Sequence, residues 1–208
     1  MIMKFERAGP DYRVISEWVE EGSSVLDLGC GGGGLLHLLA REKKVRGQGI
    51  EIDEQAIYSC VEKGINVSHG DIDSGLADYG DSVFDYCVLN QSLQQTLSPE
   101  KALSESLRVG KRVIVGFPNF AHYSGRWRLA ALGRAPITPA LPYKWFDTPN
   151  LHFLSIADFR DFCVERKIRI EKTAFLSGEK TLRIFPNLTA ESGLFLISRE
   201  NGGYNHGV

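Results

Sequence analysis

The chain has 208 residues, of which 43% are apolar and 24% are charged, and these fractions are typical of a globular protein. The 24 Lys and Arg residues nearly balance the 26 Asp and Glu residues, so the net charge of −2 provides no general field for nucleic acid. The N-terminal sequence lacks the apolar run of a signal peptide, and no run of about 18 apolar residues could cross a bilayer. We therefore expect a cytoplasmic protein that binds neither membranes nor nucleic acid.

The cysteines and histidines do not show the spacing of a disulfide or metal site. The four cysteines are scattered without a CxxC pair, which predicts reduced and mostly buried thiols. The five histidines have no carboxylate or cysteine at ligand or triad spacing. His152 is a candidate general base, but its position beside a turn favours a structural role. We therefore expect no metal site and leave the catalytic residues unassigned.

Apolar patterns alternate between helix and strand as far as residue 117. In chain order they predict strands over Ser24–Leu28, Val45–Ile52, Asn66–His69, Phe84–Leu89 and Lys111–Phe117. One helical stretch precedes the first strand and ends near Gly22, and others lie between the strands, with Ser98 and Pro99 opening the fourth helix. This alternation predicts an α/β fold with a mostly parallel, doubly wound sheet and helices on both faces.

The regular pattern breaks between Pro118 and Asn150, where five prolines and several aromatic residues fit neither a strand nor a crossover helix. We interpret residues 118–152 as a loop-and-helix layer inserted into a single domain of residues 1–208. A stretch near Tyr123–Leu132 could form an amphipathic helix within this insert.

Regular patterns return after the insert. Ser155 and Asp158 form an acidic variant of a capping box at the start of a helix. Two β-rich runs follow, Ile168–Phe175 and Gly193–Ser198. No convincing helix separates them, so we predict that they pair antiparallel, as a hairpin at the edge of the sheet.

A glycine cluster separates the first strand from its helix. Gly29, Gly31 and Gly34 satisfy G-x-G-x-x-G, a pattern that allows a tight turn and a close approach of the backbone to a ligand. Glu51 follows Gly31 by 20 residues and ends the second strand, where its carboxylate can accept hydrogen bonds from two ribose hydroxyls. A dinucleotide or an adenosyl group would satisfy this arrangement. The alternative is that the glycines only permit a tight strand-to-helix crossing.

Asp27 distinguishes between the two ligands. A carboxylate two residues before the first glycine would repel the pyrophosphate of a dinucleotide. S-adenosylmethionine has no phosphate and carries an ammonium and a sulfonium, so an acidic residue here favours it. In the alternative interpretation, Asp27 only caps nearby backbone amides.

Four segments in chain order resemble motifs of the class I S-adenosylmethionine-dependent methyltransferases: Val25–Gly33, Gly49–Asp53, Gly70–Ile72 and Phe84–Asn90. The resemblance implies a Rossmann-like fold with a seven-stranded sheet and a ligand that is S-adenosylmethionine or S-adenosylhomocysteine. It also implies that Asp71 meets the adenine amino group and that its neighbour packs on the ring. The candidate cofactor-binding residues are Asp27, Gly29, Gly31, Gly33, Glu51, Ile52, Asp71, Ile72 and Asn90.

A longer resemblance, reaching to about residue 176, is to the MetW family of methionine biosynthesis proteins. Its most specific segment is Leu141–His152 (LPYKWFDTPNLH), with further similarity at Gln91–Gln94, Leu107–Gly110 and Phe117–Phe120. The resemblance implies a methyltransferase-like protein associated with a homoserine O-acyltransferase and no established methyl acceptor. Many relatives have Gly-Asp-Gly-Glu where this chain has Gly31–Gly34, so it lacks both acidic groups.

Two hypotheses follow. In the first, the chain binds S-adenosylmethionine or S-adenosylhomocysteine while its insert docks on the acyltransferase, with Tyr143 and Trp145 as anchors and Arg126 and Arg128 as charged neighbours. In the second, it is a methyltransferase that acts on a small molecule selected by the insert. Asn90 would then contact the ligand, or it caps a turn. The segment at Asn90 lacks the Asn-Pro-Pro-Tyr pattern of base amino methylation, which disfavours DNA. The resemblance and the missing acid–base set favour the first hypothesis.

Overall fold

A computed structural model of the chain describes residues 9–200. His206 and the first eight positions lie outside the described residues. The strands are β1 (Ser24–Leu28), β2 (Arg46–Glu51), β3 (Asn66–His69), β4 (Phe84–Asn90), β5 (Gly110–Pro118), β6 (Ile168–Ser177), β7 (Lys180–Thr181) and β8 (Ser192–Arg199). The α-helices are α1 (Pro10–Trp18), α2 (Gly34–Lys43), α3 (Glu54–Glu62), α4 (Pro99–Val109), α5 (Tyr123–Leu132), α6 (Ile156–Glu165) and α7 (Pro186–Thr189). Short 3₁₀ helices cover Ile72–Ser74 and Leu93–Gln95.

The strands form one sheet in the order β3-β2-β1-β4-β5-β8-β6-β7. Strands β1 to β5 pair in parallel, and β8 is antiparallel to both of its neighbours. This arrangement confirms the predicted α/β, Rossmann-like architecture with a mostly parallel sheet and antiparallel C-terminal strands.

Two details of the predicted sheet were wrong. In the described part of the chain the sheet has eight strands instead of seven, because the two-residue β7 pairs with the end of β6. Such a short strand shows no alternation that a sequence pattern could detect. The predicted C-terminal hairpin also does not form the edge, since β8 lies between β5 and β6 and β7 is the edge strand.

Each face of the sheet carries its own apolar core. Neighbouring residues of β1 point to opposite faces, so Val25 belongs to one core and Leu26 to the other. The Val25 core includes Ile15 of α1 and Leu36 of α2, and the Leu26 core includes buried residues of α4 and Phe159 of α6. Helices therefore cover both faces, as the alternating pattern predicts. Within residues 9–200, no helix is long and apolar enough to cross a membrane.

Helix ends agree with the capping signals in part. Ser155 and Asp158 form the predicted capping box at the start of α6. Ser98 occupies the N-cap of α4, although its side chain makes no cap hydrogen bond. Helix α1 ends at Trp18 instead of near Gly22, because the backbone after Trp18 is extended.

The insert contains one helix, α5, with the predicted bounds Tyr123–Leu132. Gly125 is its one buried residue, so α5 is not the amphipathic helix that the sequence suggested. The boundary also moves by one residue, because Pro118 still pairs with Ser192 as the last residue of β5. Beyond α5 the insert adds no strand to the sheet and has one isolated bridge, between Thr138 and Leu141.

Candidate functional site

The predicted cofactor residues converge on the carboxyl edge of the parallel strands. Glu51 and Asn90 are the last residues of β2 and β4, Asp27 is the penultimate residue of β1, and Asp71 follows β3. After β1 the next two strands, β2 and β3, lie on one side of β1 toward the sheet edge. The chain then crosses back, so that β4 lies on the opposite side of β1. Open α/β sheets bind ligands in the crevice at this kind of topological switch point.

The glycine turn between β1 and α2 is tied to β2. The backbone N–H groups of Gly29 and Cys30 both donate to the carbonyl of Ile50, at 2.9 and 3.2 Å. Gly29 has φ +75°, and a Cβ atom there would lie 2.9 Å from the Cβ of Ser92. Gly31 has φ +53°, and a Cβ atom there would meet nothing within 4 Å. The turn thus requires glycine for its conformation and is open on the Gly31 side.

Glu51 joins this turn to the start of α3. Its Oε2 accepts a hydrogen bond from the Gly31 N–H at 2.7 Å. Its Oε1 accepts from the N–H groups of Ile52 and Asp53, at 2.8 and 3.0 Å. A carboxylate has about four acceptor positions, so three backbone donors leave little free capacity. Two ribose hydroxyls could bind here only by replacing at least one of these donors.

Asp27 has a buried carboxylate that receives no hydrogen bond from residues 9–200. It is 3% exposed, and no other described residue gives it a hydrogen bond. Burial raises its pKa from the ordinary value of 3.8 to about 7, and the nearby charge of Glu51 adds to the shift. Within residues 9–200, Asp27 therefore does not cap backbone amides, which was its alternative role. A cation beside this group would stabilise its ionised form.

Asp71 and Ile72 form the wall next to the glycine turn. Asp71 is exposed, and its Oδ1 accepts from the Asp73 N–H at 2.9 Å, which starts a short 3₁₀ helix. The Cδ1 of Ile72 lies 3.5 Å from the position of a Cβ on Gly29. Ile52 is 59% exposed and presents an apolar side chain at the same edge. These apolar groups could contact the faces of a flat ring.

Asn90 is held by Asp11, a residue that the sequence did not indicate as part of the site. Its Nδ2 donates to Oδ2 of Asp11 at 2.8 Å, and its Oδ1 is buried without a hydrogen-bond partner among residues 9–200. Asp11 lies in the first turn of α1. An acid near a helix start is so common that no local signal marks Asp11 as a site residue.

A cavity of about 490 Å³ lies beside Asn90, between α1, the turn after β4 and the insert. Of the two aromatic anchors predicted in the insert, Tyr143 lines this cavity. Trp145 does not; it is 79% exposed and contacts Phe146 edge-on. His152 Nε2 is 3.0 Å from the carbonyl of Thr96, so this candidate base has a structural contact.

All four cysteines are buried and unpaired, as predicted. Two of them lie behind the glycine turn, with Sγ atoms of Cys30 and Cys60 3.9 Å apart. The Cys60 thiol donates to the carbonyl of Gly31 at 3.1 Å. Burial raises the pKa of both thiols, so they favour the protonated form and pack as small apolar groups.

The sequence of the chain matches a known protein family over most of its length. The model of the family described as methionine biosynthesis protein MetW matches residues 9–197. The chain belongs to the MetW family. A relative of this MetW-family chain in Rhodopirellula baltica, named bifunctional methionine biosynthesis protein MetXA/MetW, is 35% identical over 204 residues. The match covers 92% of the present chain and 33% of the relative, so the chain spans about a third of that relative's length.

Solved structures share the fold at low sequence identity. An S-adenosylmethionine-dependent methyltransferase from Archaeoglobus fulgidus has a TM-score of 0.68 and 15% identity, with 91% of both chains covered. The [4+2]-cyclase SpnF has a TM-score of 0.66 and 17% identity, covering 92% of this MetW-family chain and 81% of SpnF. These likenesses show the methyltransferase fold, and the fold alone does not determine the reaction.

Proposed function

We propose that the chain binds S-adenosylmethionine or S-adenosylhomocysteine and acts with or on homoserine O-acyltransferase in methionine biosynthesis. One observation above all supports the ligand: the buried carboxylate of Asp27 receives no hydrogen bond from the described part of the chain and lies at the edge where Glu51 holds the glycine turn. A cationic adenosyl ligand supplies both a positive charge and ribose hydroxyls at such an edge.

The residues present fit this ligand. Glu51 would bind the ribose in place of at least one of its three backbone donors, and Asp71 with Ile72 would bind the adenine. Asp27 and Asn90 would face the charged methionyl end, where Asn90 has a buried oxygen that no described residue pairs with. The two acidic residues that many relatives have in this turn are missing from Gly31–Gly34. Asp27 would therefore carry most of the electrostatic attraction for the cationic ligand. Bound S-adenosylmethionine supplies an electrophilic methyl group.

The acyltransferase as partner is supported by the relative from Rhodopirellula baltica, whose name joins MetXA and MetW in one protein. Joining two proteins in one chain gives them a high effective concentration toward each other. We assign the docking role to the insert. Its exposed side chains include Trp145 and Phe146, and α5 carries Arg126 and Arg128 without an acidic residue. Interface cores are enriched in these residue types.

Calorimetry with S-adenosylhomocysteine tests the ligand. The unmodified chain should bind it in preference to NAD. Glu51→Ala should weaken binding by about 1.5–3 kcal/mol, or roughly 10- to 150-fold, as expected for hydrogen bonds to a charged group. Glu62→Ala removes an exposed acid from the other end of α3 and should have little effect. Preferential binding of NAD would contradict the proposal.

Co-purification tests the partner. Trp145→Ala should leave affinity for S-adenosylhomocysteine nearly unchanged and abolish retention of the acyltransferase. Because Trp145 is 79% exposed, its truncation should alter thermal stability little. Tyr58→Ala, which removes a 68% exposed ring from α3, is the matched control. A complex that survives Trp145→Ala while the melting temperature falls would exclude a docking role.

A methyltransferase that acts on a small molecule is the second candidate, and the cavity beside Asn90 favours it. Its volume of about 490 Å³ lies within the roughly 300–1,000 Å³ of small-molecule sites. Incubation with radiolabelled S-adenosylmethionine and a cell extract tests this function. Label in a product that the extract alone does not form requires methyl transfer by this chain, whereas a pure binding protein would add no labelled product.

A further inference from the structure

The cavity beside Asn90 has an unusual distribution of charge. Its lining includes the polar side chains of Asp11, Gln91, Gln94, Gln95, Asn150 and Glu191. None of the described residues that line it is Lys, Arg or His. Two carboxylates in a lining without basic side chains disfavour anions and attract cations.

Both carboxylates keep capacity for a ligand. Asp11 Oδ2 accepts from Asn90, and Glu191 Oε2 accepts from the Gly178 N–H at 2.9 Å. The second oxygen of each carboxylate makes no hydrogen bond with residues 9–200. Each can therefore accept a hydrogen bond from a donor inside the cavity.

Gln94 provides a further acceptor that is unpaired within residues 9–200. It is 2% exposed, and its Nε2 donates to the carbonyl of Gln91 at 2.9 Å. Its Oε1 is buried and has no hydrogen-bond partner among the described residues. Buried carbonyl oxygens are nearly always paired in native proteins, so this one indicates a missing N–H or O–H donor.

An aromatic ring completes the wall. Tyr143 is 48% exposed and lines the cavity together with Pro139, Pro142 and Pro149. Aromatic faces attract organic cations, and carboxylates reinforce that attraction. Prolines restrict the backbone of the insert, which keeps the wall in place before a ligand arrives.

We infer that this cavity binds an organic ammonium ion, meaning a small molecule with a protonated amine and no acidic group. This inference rests on the proposed function, because the cavity adjoins the Asn90 end of the cofactor site. In a methyltransferase such a molecule would be the acceptor: its ammonium would first lose a proton to water, and the nitrogen would then bond to the methyl carbon as the methyl–sulfur bond breaks and S-adenosylhomocysteine leaves. In a binding protein it would be a second ligand that the chain holds beside S-adenosylhomocysteine.

Calorimetry on protein saturated with S-adenosylhomocysteine tests the inference with three probes of matched length: 1,4-diaminobutane, 1,4-butanediol and succinate. The diamine should bind at least tenfold more tightly than the diol, and succinate should not bind. Asp11→Asn should weaken diamine binding at least tenfold, because it removes a charge while keeping an oxygen that can accept from Asn90. Glu17→Gln, an exposed charge on the same helix outside the cavity, should change it less than twofold.

The first titration, with S-adenosylhomocysteine alone, separates the two possible failures. No binding in that titration contradicts the proposed function. Binding of S-adenosylhomocysteine followed by no diamine binding, by equal binding of all three probes, or by tighter binding of succinate overturns only the inference. Equal effects of Asp11→Asn and Glu17→Gln also overturn it. Thermal unfolding verifies that the Asp11 variant folds, and Glu191→Gln repeats the test from the opposite wall if it does not.

Discussion

Asp27→Asn offers a quantitative test of the buried carboxylate. The substitution removes the charge and preserves the size of the side chain. In the folded protein, burial places the pKa of Asp27 at about 7, well above its ordinary value of 3.8. Between these values the native state binds a proton that the unfolded state has lost. Asp27 therefore lowers the free energy of unfolding as pH rises from about 4 to about 8.

The pKa difference sets the size of this effect. At 1.36 kcal/mol per pKa unit it corresponds to about 4 kcal/mol between the protonated and ionised limits. The Asp27→Asn chain does not lose stability in this way. Its advantage over the unmodified chain in free energy of unfolding should thus grow by about 4 kcal/mol from pH 4 to pH 8.

Urea unfolding of both ligand-free chains at a series of pH values measures this difference. Asp161→Asn removes an exposed carboxylate from α6 and controls for the loss of one charge. At pH 8 the Asp27→Asn chain should also bind S-adenosylmethionine more weakly, since the attraction for the cation is gone. A stability difference that does not change with pH would refute the account of the buried charge. Unchanged affinity would remove the main argument against a dinucleotide.

Two further substitutions test the turn and the opposite end of the sheet. Gly29→Ala should destabilise the protein by about 1–3 kcal/mol in thermal unfolding. The φ angle of Gly29 is +75°, and the new methyl group would lie too close to the Cβ of Ser92. Gly178→Ala, at φ +53° with no atom nearby, should cost less. Lys111 and backbone contacts lower the pKa of Asp85 to about 2. The ion pair between Asp85 and Lys111 therefore stabilises the folded protein above about pH 4, and this stabilisation is lost as the pH falls toward about 2. Asp85→Asn should lower stability at pH 7 and flatten the acid limb of a pH titration.

Local patterns were sufficient to predict most of the sheet. The run Phe84–Leu89 lies within β4, and Asn66–His69 has the same bounds as β3. Short apolar runs bounded by turn residues carry enough information to mark buried strands. The position of Glu51 at the end of β2 followed from the same register.

Features that depend on tertiary contacts could not be predicted. Asp11 meets Asn90 only because α1 packs back against the sheet, and the two residues are far apart in sequence. The hydrogen bond from the Gly31 N–H to Glu51 depends on how closely the glycine turn approaches the end of β2. Exposure of nearly all of α5 also contradicted the amphipathic expectation, because mixed apolar and basic residues do not show which face is buried.

The central position of β8 has a consequence for how the chain acquires its structure during synthesis. Val113 of β5 pairs with Ile197 of β8, and β6 joins the sheet only through β8. Until residues 192–199 leave the ribosome, β5 has an open edge. In the same interval β6 has no strand through which it can join the rest of the sheet. Contacts between such distant segments slow folding and leave strand edges open to aggregation. A nascent chain that stalls before Ser192 would therefore need protection from a chaperone, even though the whole glycine turn is already complete.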